Sequence, residues 1–250
     1  MADGEPFTAI CHPPSAIRHP PSAIRHLPSA IYNAPMFIGH HAAAFAAKRV
    51  APRVSLGTLM AAAMFLDLLW PILTLAGVEH FRVDPGNTAF TPLAFDDYPI
   101  THSLAMALVW SLLGAVLYAI ARKSWRDATI VGLAVLSHWI LDFVTHRPDL
   151  ALWPGGPKVG LGLWSSVAGT IVIESALFVI GVFLYLRATE ARDRIGSIAL
   201  WSLIAFLVLI DIANIVSPPP PSWRAVAYTA LAAWLFVPWA WWIDRHRQAR

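Results

Sequence analysis

Six apolar runs, at about 55–78, 102–121, 128–146, 161–186, 196–216 and 225–243, constrain this 250-residue chain more than any other feature. Each has about 19 residues or more, enough for a helix to cross a hydrocarbon core of about 30 Å. Water cannot be the solvent for that much apolar surface: 13% of the residues are charged, against about 25% in soluble domains, and 57% are hydrophobic. The twelve Trp suit a bilayer interface. The sequence therefore predicts an all-α, polytopic membrane bundle of about six transmembrane helices. A short N-terminal helix carrying Gly39-His40-His41 leads into the first span.

The basic residues give the orientation. Lys48, Arg49 and Arg53 precede the first run, and Arg122, Lys123 and Arg126 separate the second from the third. Arg187, Arg192 and Arg194 follow the fourth run, and Arg245, Arg247 and Arg250 follow the sixth. The intervening loops are poorer in Lys and Arg, so the alternation predicts that both termini are cytoplasmic. These cations sit in short clusters between apolar runs rather than in one stripe, which argues against a nucleic-acid partner and for the lipid bilayer as the main one. Cys11 is the only cysteine, so any metal must be held by His and carboxylates.

Residues 1–35 stand apart. HPPSAIR from His12, HPPSAIR from His19 and HLPSAIY from His26 repeat every seven residues, and the recurring prolines rule out a helix. This stretch is expected to be a disordered, low-complexity tail, with Met36 as the natural start. Residues 36–160 form a second region, and residues 161–250 add three further transmembrane helices.

Asp67, Asp142, Glu174 and Asp211 lie within the apolar runs, where each acid costs about 2.5–3.5 kcal/mol at mid-helix. His138, Asp142 and His146 are spaced i, i+4, i+8 and share one helical face. Imidazole beside carboxylate at that spacing can grip a divalent ion; the alternative is an Asp that only hydrogen-bonds its His neighbours. At 1.5 Å per residue, His138, Asp142 and His146 lie about 15, 21 and 27 Å from the cytoplasmic end, and Asp67 about 18 Å. His102 opens the second run from the outer side, so these groups can converge in the outer half of the bilayer. His40 reaches that level only if its helix enters the membrane, the alternative being an interfacial helix. Thr101 and Ser137 are candidates for orienting the imidazoles. His80 reads as a surface residue and His246 as part of the basic tail. Glu174 and Asp211, without His at turn spacing, read as helix–helix partners, the alternative for Glu174 at mid-membrane being to face the cluster.

Gly39-His40, Phe65-Leu66-Asp67, Thr101-His102-Ser103, Ser137-His138-x-x-x-Asp142-x-x-Thr145 and Leu152-Trp153-Pro154 follow in that order. This series resembles the bacterial membrane-bound, metal-dependent hydrolases of the YdjM-like, LexA-binding, inner-membrane-associated family, over roughly residues 36–160. The resemblance implies a multi-pass protein of the bacterial inner membrane with a divalent-metal hydrolase site. Family members carry Pro-Asp-x-Asp-His where this chain has Leu66-Asp67-Leu68-Leu69-Trp70, so one acid and one His are missing, and His146 stands in place of the family's Pro. A fainter similarity to zinc-dependent phospholipase C implies phosphoester chemistry.

The expected site has His102, His138 and Asp142 holding a zinc-like divalent ion, with Asp67 as fourth ligand and His40 as a further one. Asp67 or His146 would be the general base for a water activated by the metal. A site at that depth suits a lipid or lipid-linked substrate. The same side chains could instead form the ion or proton pathway of a transporter, or a structural metal site in a non-catalytic scaffold.

Overall fold

The computed structural model describes residues 38–250, so the tail expected over 1–35 lies outside the described residues. Helix α1 (Ile38–Val50) is followed by α2 (Leu56–Ala63) and α3 (Phe65–Leu75), then by a hairpin of β1 (His80–Val83) and β2 (Leu93–Asp97). A single turn, α4 (Pro99–His102), leads into the antiparallel pair α5 (Leu104–Arg122) and α6 (Trp125–Thr145). After a ribbon of β3 (Leu150–Ala151) with β4 (Lys158–Val159) come α7 (Val167–Ala188), β5 (Thr189–Ala191) and α8 (Arg194–Val216). The chain ends with α9 (Trp223–Ala230), a 3-10 segment over Leu231–Leu235, α10 (Phe236–Arg245) and β6 (Arg247–Ala249), which pairs with β5. The bundle is all-α, and its short strands only tie loops together.

Five helical stretches (α5, α6, α7, α8 and the α9–α10 stretch) are long and apolar enough to cross a membrane, and the α2–α3 pair makes up to six if its 54° bend is one broken span. These match the six apolar runs. The outward face of α5 shows why lipid is the required solvent: Leu112 is 66% exposed, Leu117 57% and Ile120 71%. Polar caps mark where the helices start: Ser55, Ser103, Ser124, Ser166 and Ser222 each accept a backbone N–H of the first turn, and Asp193 does the same for α8.

Helix α1 has 13 residues, about 20 Å, too short to span the core. It buries His40, His41 and Lys48 alike and packs on α7, α2 and α6, so it is an interior segment rather than an interfacial helix. Its close approach to α7 depends on Gly181, where a Cβ would meet the Ala42 backbone at 2.6 Å. Its basic end is anchored by Lys48, which donates to the Val54 carbonyl at 2.7 Å and to Asp244 Oδ1 at 3.2 Å. Asp244 also accepts the Leu56 N–H, which joins the end of α1 and the start of α2 to the end of α10.

Candidate metal centre

The site begins with a break in a helix. Residues 60–66 read Met-Ala-Ala-Ala-Met-Phe-Leu, all compatible with a continuous helix, yet α2 stops at Ala63 and α3 restarts at Phe65. The Ala63 carbonyl, one of the last in α2, is left outside the helical ladder. His138 Nδ1 lies 2.8 Å from it and donates its proton there. That bond fixes the tautomer and leaves the lone pair of Nε2 facing the interior.

A relay from a loop acid sets His102. Glu79, fully buried, accepts the N–H groups of Ile100 and Thr101 at 2.8 Å each and the Thr101 hydroxyl at 2.7 Å. With its proton given to Glu79, Thr101 Oγ1 accepts from His102 Nδ1 at 2.7 Å, and the His102 Nε2 lone pair also points inward. His146, the residue just past α6, gives its Nδ1 proton to Asp149 Oδ1 at 2.9 Å. Asp149 also accepts the Tyr98 hydroxyl at 3.3 Å. Burial, aided by the Asp149 and Asp142 carboxylates, holds the Tyr98 phenol well above its usual range, so it stays a proton donor.

All three Nε2 atoms converge on carboxylates. His102 Nε2 lies 3.5 Å from Asp67 Oδ1 and 3.7 Å from Asp142 Oδ2. His138 Nε2 lies 3.6 Å from Asp67 Oδ1 and 3.5 Å from Asp142 Oδ2. His146 Nε2 is 3.9 Å from Asp142 Oδ1. Tetrahedral zinc with ligands at about 2.0–2.1 Å keeps neighbouring ligand atoms about 3.3–3.4 Å apart, so the four edges are close to the span of one ion. His138 Nε2 and Asp142 Oδ2 are buried acceptors with no hydrogen-bond donor among the described residues. Two facing lone pairs in a dry interior repel each other unless a cation lies between them. His102, His138 and Asp142 form one trio with ligand atoms within 4.8 Å of one another; His40, Asp67 and His138 form another.

His40 reaches the centre from α1: its ring stacks on His138 with centroids 3.7 Å apart, and its Nε2 is 3.2 Å from Asp142 Oδ1. The structure thus brings together all six residues singled out for the site: His40, Asp67, His102, His138, Asp142 and His146. Ser137 does not join them, because its hydroxyl bonds Ala134 of its own helix. His80 is exposed on β1, and His246 pairs with Asp193 at 2.7 Å. Glu174 is buried on α7 with Oε1 unsatisfied among the described residues, while Asp211 is partly exposed on α8. Glu79, Asp149 and Tyr98 escape a reading of the sequence. Asp149 left a trace, three residues after His146; Glu79 left none, standing in an acid-rich loop.

The centre opens on a cavity of about 60 Å³, room for about two waters. Asp67, His102, Asp142 and His146 line one side, and Trp70, Phe95 and Trp164 close another. His146 packs on Trp164 at 4.1 Å and on Phe95 at 5.0 Å, which keeps bulk water away from the imidazole.

Fold and centre define a class: a multi-pass membrane protein with a buried His/Asp cluster able to hold a divalent cation. No family model, curated protein or solved structure matches the chain.

Proposed function

We propose that the chain is a metal-dependent hydrolase of the bacterial plasma membrane, acting in the outer half of the bilayer on a lipid or lipid-linked phosphoester. Both termini are cytoplasmic in this reading, and the YdjM-like motif series is its family-level support. The observation that carries it is the facing pair of bare acceptors, His138 Nε2 and Asp142 Oδ2, buried 3.5 Å apart. His102, His138, Asp142 and Asp67 would hold the ion, and nitrogen with carboxylate oxygen is a donor set suited to zinc. Bound there, the ion supplies Lewis acidity and lowers the pKa of a water toward neutrality.

The rest is done by the chain's own groups. His146 Nε2 faces the cavity with its Nδ1–H held by Asp149, the arrangement in which an imidazole accepts a proton and the carboxylate behind it stabilises the imidazolium. Asp67, expected as either ligand or base, is at ligand spacing from two imidazoles and is assigned as a ligand. His40 Nε2 lies 3.2 Å from Asp142 Oδ1, which would leave Oδ2 available to an ion. The aromatic wall of Trp70, Phe95 and Trp164 would confine water beside the cluster to the small cavity.

The test is turnover in nanodiscs against a panel of phospholipids and polyprenyl diphosphates, with products followed by mass spectrometry. Chelator-stripped protein is expected to be inactive, to recover with Zn²⁺ or Mn²⁺, and to stay inactive as His138→Ala. Metal-loaded wild type that forms no product, yet carries ions or protons across liposomes, would replace the hydrolase with a transporter.

A further inference from the structure

A second cavity, of about 460 Å³, lies between the C-terminal half of α8 and the α9–α10 stretch. Phe206, Ile210, Val226, Phe236 and Trp239 make it apolar, and Asn214, Ser217 and Thr229 add a little polarity. Its volume falls in the range of about 300–1,000 Å³ usual for ligand sites. The sequence keeps it open in two ways. Ser217-Pro218-Pro219-Pro220-Pro221-Ser222 joins α8 to α9, and such a proline run stays extended and stiff, so the two helix ends cannot close on each other. Beside the cavity the last span loosens from α-helix into the 3-10 segment Leu231–Leu235, where Ala232 and Ala233 offer only methyl groups.

Its position gives it meaning. Ala230 and Ala233 line both this cavity and the small one at the metal centre. Strand β2 also bounds both, through Leu93 on the large side and Phe95 on the small. An apolar chamber in a membrane bundle thus lies one small-residue wall away from a cluster of His and Asp. That polarity matches an amphiphile: a hydrocarbon tail for the chamber and an anionic group for a cation at the cluster.

We propose that the large cavity seats the acyl chain of a lipid whose reacting group turns inward past Ala230 and Ala233 to the His/Asp centre. The proposal rests on the hydrolase reading and gives it a substrate class: a lipid gripped by its tail within the bundle, not one recognised by its head group alone. The small cavity, about 60 Å³, leaves room beside the His/Asp centre for no more than the reacting group, with the tail outside it in the large cavity.

The experiment uses full-length protein in nanodiscs and two phosphatidylglycerol probes, one with a diazirine at the acyl-chain end and one with a diazirine on the head group; metal content is measured on the same samples. The acyl probe is expected to label Phe206, Ile210 or Trp239, and the head-group probe Met64, Trp70 or Trp164. Thr229→Phe, an exposed position lining only the large cavity, should cut both labels about tenfold while metal content stays at the wild-type level. Ile210→Trp is a second plug, on the other helix, in case the first variant misfolds. Head-group label confined to 217–224, or acyl label indifferent to both plugs, would mark an ordinary boundary lipid and overturn the proposal. Labels as expected on protein without stoichiometric metal would support the lipid seat while overturning hydrolysis.

Discussion

Thr101→Val removes one oxygen atom from the relay that sets His102, and its effect can be worked out from the contacts. In the native site Thr101 Oγ1 gives its proton to Glu79 and receives one from His102 Nδ1, both at 2.7 Å. Valine keeps the shape and breaks both bonds. Glu79 retains the two backbone N–H donors on Oε1, but Oε2 loses the hydroxyl, an unsatisfied buried acceptor worth about 1–3 kcal/mol of stability. His102 Nδ1 loses its acceptor, so the ring is free to rotate or to change tautomer. Loss of such an orienting partner typically costs about 10–100-fold in metal affinity, or about 1.4–2.8 kcal/mol. The assay is Zn²⁺ titration against a competing chelator on detergent-purified protein, with thermal unfolding of the metal-free form alongside. Thr101→Ser, which restores the hydroxyl, should recover the affinity. A Thr101→Val protein that binds metal within about twofold of wild type, while its metal-free form is less stable, would show that the relay is structural and does not set the metal affinity.

Three further outcomes follow from the same geometry. Asp149→Asn can present its amide N–H₂ to His146 and stabilise the wrong tautomer, so turnover should fall by about 10²-fold or more with metal content unchanged, separating proton transfer from metal holding. His40→Ala should weaken metal binding less than His102→Ala does, because His40 acts on Asp142 Oδ1; equal losses in a chelator competition would make His40 a direct ligand. Gly181→Ala pushes α1 off α7 at Ala42, which should cost about 1–3 kcal/mol in unfolding experiments and weaken metal binding by displacing His40; unchanged stability would contradict the close contact.

Much of the fold is written as hydropathy. Six runs of spanning length become five long apolar stretches and the bent α2–α3 pair, because in lipid each helix must satisfy its own backbone and carry an apolar surface. The site was legible for a related reason: acids and imidazoles are expensive in a membrane, so Asp67, His138 and Asp142 stood out together with Glu174 and Asp211, and the turn spacing of His138, Asp142 and His146 with the Thr101-His102-Ser103 motif narrowed the set. What could not be read is what positions them. Local propensity favours an unbroken helix through Met64, and the bend is visible only in three dimensions, where His138 takes the Ala63 carbonyl. Glu79 lies in a loop where acids are unremarkable, and only the fold shows it buried behind Thr101. The α1 helix has no amphipathic signature that distinguishes an interior segment from an interfacial one; its contact with α7 through Gly181 decides the matter.

The proposed function depends above all on a divalent cation among His102, His138, Asp142 and Asp67. Elemental mass spectrometry on protein purified from membranes without added metal, with X-ray absorption at the edge of the metal found, tests it directly. About one ion per chain is expected, bound by a mixture of imidazole nitrogen and carboxylate oxygen at about 2.0–2.2 Å and lost in His102→Ala and His138→Ala. Folded wild type without stoichiometric metal, or an ion that persists when both histidines are replaced, would contradict it.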